Sequence, residues 1–102
     1  MVLAIFSISP LDKGESVSKY VAGSLDLIDK SGLSYQLTPM GTIVEGELDE
    51  VLDLIRVCHK KMREHSNRVI ATIKIDDRAG TNGRLKGKIQ SIEHKLGRPL
   101  KT

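Results

Sequence analysis

The chain of 102 residues is long enough for one domain with a single packed core and too short for two. Its 39% hydrophobic and 28% charged residues are typical of a soluble globular protein, and no run of about 18 apolar residues predicts a membrane span. The net charge of +3 leaves nucleic-acid binding open, but one Phe, two Tyr and no Trp offer few side chains for base stacking. A nucleic-acid or membrane partner is therefore not expected.

The first half of the chain predicts a strand, a helix and two further strands. Apolar residues alternate in Val2–Ser9, and no basic segment precedes them, which favours a core strand over a signal peptide. Ser16 is the predicted N-cap of a helix that Gly32 ends. Two short strands and the turn between them follow: Ser34–Thr38, Pro39–Gly41 and Thr42–Glu45.

The second half predicts a helix, a strand and a last helix. Apolar residues at helical spacing begin at Leu48 and predict a helix that ends near Asn67, after which Arg68–Asp76 alternates as a strand. The last helix covers residues 85–96 and is weakened by Gly87. Its N-cap is predicted in the preceding loop, at Thr81 or Asn82.

The order of these elements is β-α-β-β-α-β with an additional C-terminal helix. This order predicts an α+β fold of the ferredoxin-like type, with helices on one face of a four-stranded antiparallel sheet. No repeat, linker or change of composition divides the chain, so residues 1–102 are predicted to form one domain.

Alternation also predicts which side chains the helices leave uncovered. In the last strand Val69, Ala71, Ile73 and Ile75 form the apolar set that faces the helices. The opposite face then carries apolar Leu3, Ile5 and Ile70 beside polar Thr72, Lys74 and Asp76. Because such a face would be a liability on a monomer, we expect a partner subunit to cover it. Buried polar groups there would need partners or a ligand, which indicates a polar pocket near a subunit interface.

Three strings in the chain resemble the small thiamine-binding (YkoF-like) protein family. They are MGTIVEGELDEVL at 40–52, CHKKM at 58–62 and RVIATIKIDDR at 68–78. The resemblance implies a ferredoxin-like homo-oligomer, commonly a tetramer of sheet-paired dimers. It further implies binding of thiamine or its hydroxymethylpyrimidine moiety, without catalysis and without a cofactor.

The ligand implied by this resemblance is a small cationic aminopyrimidine, and the expected pocket can be described by chemistry. A carboxylate would accept from the ligand amine, hydroxyl groups would meet the ring nitrogens, and a soft side chain would form a wall. Lys74 would hold the carboxylates by pairing with Glu45 or Asp76, although the turn leaves the facing of Glu45 open. The expected ligand-binding residues are Ser7, Thr38, Met40, Thr42, Glu45, Thr72, Lys74 and Asp76.

Other functions stay open at this point. Lys74 and Asp76 could do acid–base work in a small enzyme, the fold also serves RNA-binding proteins, and the polar face could belong to a purely structural oligomer. The three histidines lack metal-ligand spacing, so no metal site is expected. The single cysteine, Cys58, cannot form an internal disulfide and predicts a buried thiol in a reducing compartment, the cytoplasm.

Overall fold

The computed structural model describes residues 1–14, 17–80 and 83–102, so the predicted caps Ser16, Thr81 and Asn82 lie outside the described residues. The elements in chain order are β1 (Val2–Pro10), α1 (Ser18–Lys30), β2 (Ser34–Thr38), β3 (Gly41–Gly46), α2 (Leu48–Arg63), β4 (Val69–Asp77) and α3 (Arg84–Leu96). Neighbouring strands are antiparallel and lie in the order β2-β3-β1-β4. The predicted α+β, ferredoxin-like fold with an extra C-terminal helix is confirmed.

The core lies between one face of the sheet and the helices α1 and α2. The strands supply alternate side chains, as their period of two requires, and each helix supplies its apolar stripe. The fully buried side chains of this core include Ile28, Val44, Val51, Cys58 and Met62.

Helix α2 begins with a capping box and ends earlier than predicted. The side chain of Glu50 accepts from the backbone N–H of Glu47, which satisfies a donor that the helix leaves open. The helix ends at Arg63, and the predicted end near Asn67 is wrong because Asp12 holds that segment in a loop. The Asp12 carboxylate accepts from the Ser66 hydroxyl and, at 2.9 Å, from the Asn67 N–H.

Strand β4 is an edge strand whose apolar side chains are only partly covered. Its register places Ile73 opposite Phe6 and Ile75 opposite Ala4, on the face that α1 and α2 cover. Ile73 is nevertheless 45% exposed and Ile75 is 37% exposed. The facing predicted from alternation is therefore confirmed, whereas full burial is not, because α2 packs mainly over the central strand β1.

Helix α3 packs against the opposite face of the sheet. Val44 is buried in the core, so its neighbour Glu45 points to the other face, and the Arg84 N–H at the start of α3 donates to Glu45 Oε2 at 2.7 Å. The extra helix thus covers part of the face that the other two helices leave open. Across the described residues, none of the helices has the length and apolar character needed to cross a membrane.

Candidate functional site

The open face of the sheet, opposite α1 and α2, brings several predicted site residues into cross-strand rows. One row runs Ser34, Glu45, Leu3, Asp76 and the next runs Gln36, Ile43, Ile5, Lys74. Ser7 lies opposite Thr72 in a further pair. The structure therefore settles the facing of Glu45, which lies two strands away from Asp76 with Leu3 between them.

Both carboxylates of the first row are engaged by α3, in a cluster we name the α3 clamp: Glu45, Asp76, Arg84 and Lys88. Glu45 caps the helix through the Arg84 N–H, and Lys88 Nζ lies 2.6 Å from Asp76 Oδ2. Arg84 Nη1 lies 3.0 Å from the same Asp76 oxygen, and Nη2 donates to the Asp76 backbone carbonyl. Arg84 is buried, and of its side-chain nitrogens Nε lacks a partner. The clamp ties three elements together.

The electrostatics of Asp76 follow from this cluster. Hydrogen bonds from Lys88 and then from Arg84 hold the pKa of Asp76 below its ordinary value. The carboxylate is thus ionised at neutral pH and already has two cationic partners. A cationic ligand would have to compete with both of them for Asp76.

Thr72 and Lys74 lie on the same face but on the edge strand, where both are exposed. Lys74 forms no ion pair with Glu45 or Asp76, so the expected pairing is wrong. The reason is α3, which the sequence analysis did not place on this face and whose Arg84 and Lys88 take that role.

The other predicted residues meet at a different place, which we name the hairpin cavity. This cavity of about 390 Å³ lies between α1 and the β2–β3 hairpin. Thr42, which faces the helices and is buried, lines it together with Thr38, and Met40 is 84% exposed at its rim. Ser7 borders the cavity through its place on β1, although its side chain lies on the open face beside Thr72. The remaining lining residues are Phe6, Ile8, Ser9, Val17, Val21, Ser24, Leu25, Ile28, Leu37, Pro39 and Gly41.

The turn that forms one wall of this cavity is held by its own residues. Thr38 Oγ1 donates to the Gly41 carbonyl at 2.8 Å and accepts from the Met40 N–H at 3.2 Å. Gly41 has φ +154°, and a Cβ at that position would lie 3.0 Å from the carbonyl oxygen of Phe6. The glycine is therefore required where the hairpin closes against β1.

Ser24 is a polar residue of the cavity that the sequence analysis missed as a site residue. It lies on the core-facing side of α1, is 7% exposed, and its hydroxyl oxygen has no hydrogen-bond partner. The available signal was a serine at a position of the helical pattern that otherwise carries apolar residues. That signal shows burial and cannot show whether a partner lies opposite.

Comparisons with known proteins find relatives that match most of the chain. A family model described as thiamine-binding protein matches residues 4–93. The UPF0045 protein MJ1052 of Methanocaldococcus jannaschii is 37% identical over 91 residues, which are 89% of this chain and 91% of that protein. The UPF0045 protein YqgV of Bacillus subtilis is 34% identical over 102 residues, covering 94% of this chain and 98% of that protein.

Solved structures show the same fold. The crystal structure of MJ1052 superposes with a TM-score of 0.83 over 89% of this chain and 94% of that chain. A second structure is that of TM0486 of Thermotoga maritima, described as a putative thiamine biosynthesis/salvage protein. It has a TM-score of 0.79 over 89% of this chain and 97% of that one. At 21% identity, this likeness shows the fold alone. Through the match over residues 4–93 and these relatives, the resemblance is confirmed and the chain belongs to the thiamine-binding protein family.

Proposed function

We propose that the protein is a non-catalytic binding protein for thiamine or its hydroxymethylpyrimidine moiety, and that the hairpin cavity holds the ligand. The observation that carries this proposal is the make-up of the cavity: the hydroxyl-bearing residues Ser24 and Thr42 are buried in its wall, and no residue of its described lining is charged. Family membership supports the ligand class.

The chemistry of the cavity suits an aminopyrimidine ring. Such a ring is flat and presents an amino donor and ring-nitrogen acceptors, and serine and threonine hydroxyls can donate and accept. Phe6 and Met40 provide an aromatic and a polarisable thioether surface for its faces. The volume of about 390 Å³ lies within the range of small-molecule sites, about 300–1,000 Å³.

The open face suits the ligand less well than the cavity does. The carboxylates of Glu45 and Asp76 contact α3. Either one could accept a hydrogen bond from the ligand amine only if its contact in the α3 clamp were broken. A depression between α1 and α2 also carries carboxylates, from Glu50 and Asp53. These acids are engaged too, Glu50 in the capping box and Asp53 with Arg56 at 2.7 Å.

The absence of catalysis and the cytoplasmic location belong to the same proposal. Burial raises the pKa of the Cys58 thiol to about 11, so this group is protonated at neutral pH and is a poor nucleophile. The lysine–carboxylate pair that an enzyme would use is not formed by Lys74 and Asp76. A buried, reduced thiol is compatible with a reducing compartment.

The proposed protein partner is a second copy of this chain, with a tetramer as the assembly that family membership favours. Strand β4 is nine residues long and lies at the edge of the sheet, which makes it a template for pairing. Ile73 is 45% exposed beside that edge and Ile70 is 52% exposed on the open face, whereas Leu3 and Ile5 are half-buried. Pairing of two such edges would reduce the exposure of Ile70 and Ile73 on β4.

Light scattering tests the assembly. The variant Ile73→Lys should shift the protein toward the monomer, because it places a charge in the proposed contact. Leu52→Lys is the matched control, since Leu52 is 43% exposed on α2. A wild-type monomer at micromolar concentration, or equal assembly of both variants, would contradict the proposed partner.

Calorimetry with thiamine, its phosphates and hydroxymethylpyrimidine tests the ligand. Two matched variants locate the site, because Thr42 lines the hairpin cavity and Thr72 lies exposed on β4. Thr42→Val should weaken binding about two- to tenfold, for a hydrogen bond of about 0.5–1.5 kcal/mol, while Thr72→Val should not. Absence of binding by the wild type would refute the function, and weakening by Thr72→Val alone would move the site to the open face.

A further inference from the structure

The buried hydroxyl of Ser24 is the most unusual polar group of the hairpin cavity. It lies on α1, and the carbonyl of the same residue is 3.8 Å from the Sγ atom of Cys58 on α2. The helix is therefore packed against the core at this point, with Ser24 Oγ buried and unpartnered. A buried hydroxyl without a hydrogen bond is unfavourable, and alanine would remove that cost and favour the helix.

The charge of the cavity restricts what can pair with this hydroxyl. Every described lining residue is apolar or carries a neutral polar group, so these residues offer no counter-charge. A fixed cation placed inside would lose its hydration without compensation, whereas a neutral heteroaromatic ring would keep its hydrogen bonds to hydroxyls.

The surface next to the cavity suits the remaining part of such a ligand. The cavity continues into an open groove lined by apolar Val21, Ala22, Leu25 and Leu37, and Met40 stands exposed at the rim. A second ring held there stays in contact with water, and its charge needs no buried partner.

We infer that Ser24 is a specificity-determining residue, whose hydroxyl forms the inner hydrogen bond to an uncharged aminopyrimidine ring, while a cationic ring attached to it remains at the mouth of the cavity. This inference rests on the proposed function. It names the residue that recognises the ligand and identifies the aminopyrimidine as the half of the ligand that is recognised. It explains why a helix position in the apolar stripe of α1 carries an unpaired hydroxyl. The unpaired hydroxyl destabilises the unliganded protein. Binding is favoured because the ring supplies the missing hydrogen-bond partner.

The variant Ser24→Ala separates this role from a structural one. The unliganded variant should unfold at a temperature equal to or higher than the wild type, yet bind both thiamine and hydroxymethylpyrimidine about tenfold more weakly. Ser91→Ala on α3 is the matched control, because Ser91 is an exposed serine inside a helix and reports helix propensity alone.

The two ligands test the recognised half. Hydroxymethylpyrimidine should bind the wild type within about tenfold of thiamine, and the hydroxyethylthiazole half of thiamine should not bind. Unchanged affinity in Ser24→Ala, a lowered melting temperature of that variant, or binding of the thiazole half alone would overturn the inference while leaving thiamine binding intact. A wild type that binds neither thiamine nor hydroxymethylpyrimidine would refute the proposed function, and the inference with it.

Discussion

The α3 clamp and the hairpin cavity use polar groups in opposite ways. In the clamp, the side chains of Glu45 and Asp76 each have a hydrogen-bond partner on α3. In the cavity, the described lining residues carry no charge and the buried hydroxyl of Ser24 has no partner. Paired groups stabilise the fold they belong to, whereas an unpaired buried group favours a ligand that completes it. The charged side chains of the α3 clamp thus have their partners within the fold, and the hairpin cavity is the candidate for binding.

The largest effect is expected from closing the cavity at its turn. In Gly41→Ala the new Cβ would meet the Phe6 carbonyl oxygen at 3.0 Å and Ile5 Cγ1 at 3.2 Å, at a backbone φ of +154°. We expect the free energy of unfolding to fall by about 3 kcal/mol and ligand affinity to fall with it, because the hairpin must move away from β1. Urea denaturation and calorimetry measure the two quantities. Unchanged ligand affinity in the folded variant would show that the turn is not part of the binding site.

The next effect comes from removing the cap of the clamp. Glu45→Ala leaves the buried Arg84 N–H without its acceptor, while Asp76 still pairs with the Arg84 guanidinium, so stability should fall by about 2 kcal/mol. Thiamine affinity should stay within about twofold of the wild type, since Glu45 does not line the cavity. Glu64→Ala, at an exposed carboxylate of the α2 terminus, is the control. Loss of thiamine binding without loss of stability would indicate that the ligand binds on the open face.

A stabilising change of the clamp helix should give a smaller effect of opposite sign. Gly87 lies inside α3, and a Cβ added there would meet nothing within 4 Å. Gly87→Ala should therefore raise stability by about 1 kcal/mol through helix propensity, without changing ligand affinity. Chemical denaturation tests this prediction, and the variant also serves as the control for Gly41→Ala. A destabilised Gly87→Ala would show that α3 meets other atoms in solution.

The smallest effect concerns the pH dependence of the clamp. The pKa of folded Asp76 is lowered by Lys88 and Arg84, so its contribution to stability is complete above the ordinary aspartate range and is lost as pH falls through the folded pKa. Below about pH 4 the wild type should lose stability more steeply than Asp76→Asn. Urea midpoints at neutral and acidic pH measure the difference, with Asp77→Asn as a control that keeps the clamp. Parallel curves for wild type and Asp76→Asn would contradict the ion pairs.

The sequence determined the properties that depend on neighbours along the chain. Period-two alternation assigned the two faces of β1 and β4, helical spacing assigned the apolar stripes of α1 and α2, and three strings indicated the family. These features are local because side-chain direction repeats with the backbone geometry of each element. Eight ligand-binding residues were named on that basis and remain predictions.

Only the tertiary structure decided which of those residues share a location. Glu45 is bonded to Arg84, 39 residues away, and that contact placed α3 on the open face and separated the acids from the hydroxyl-lined cavity. The unpaired state of the Ser24 hydroxyl is likewise a property of its surroundings, because it depends on what β2, β3 and α1 leave empty between them. A pattern along the chain reports the direction of a side chain, whereas its partners are set by packing between distant segments.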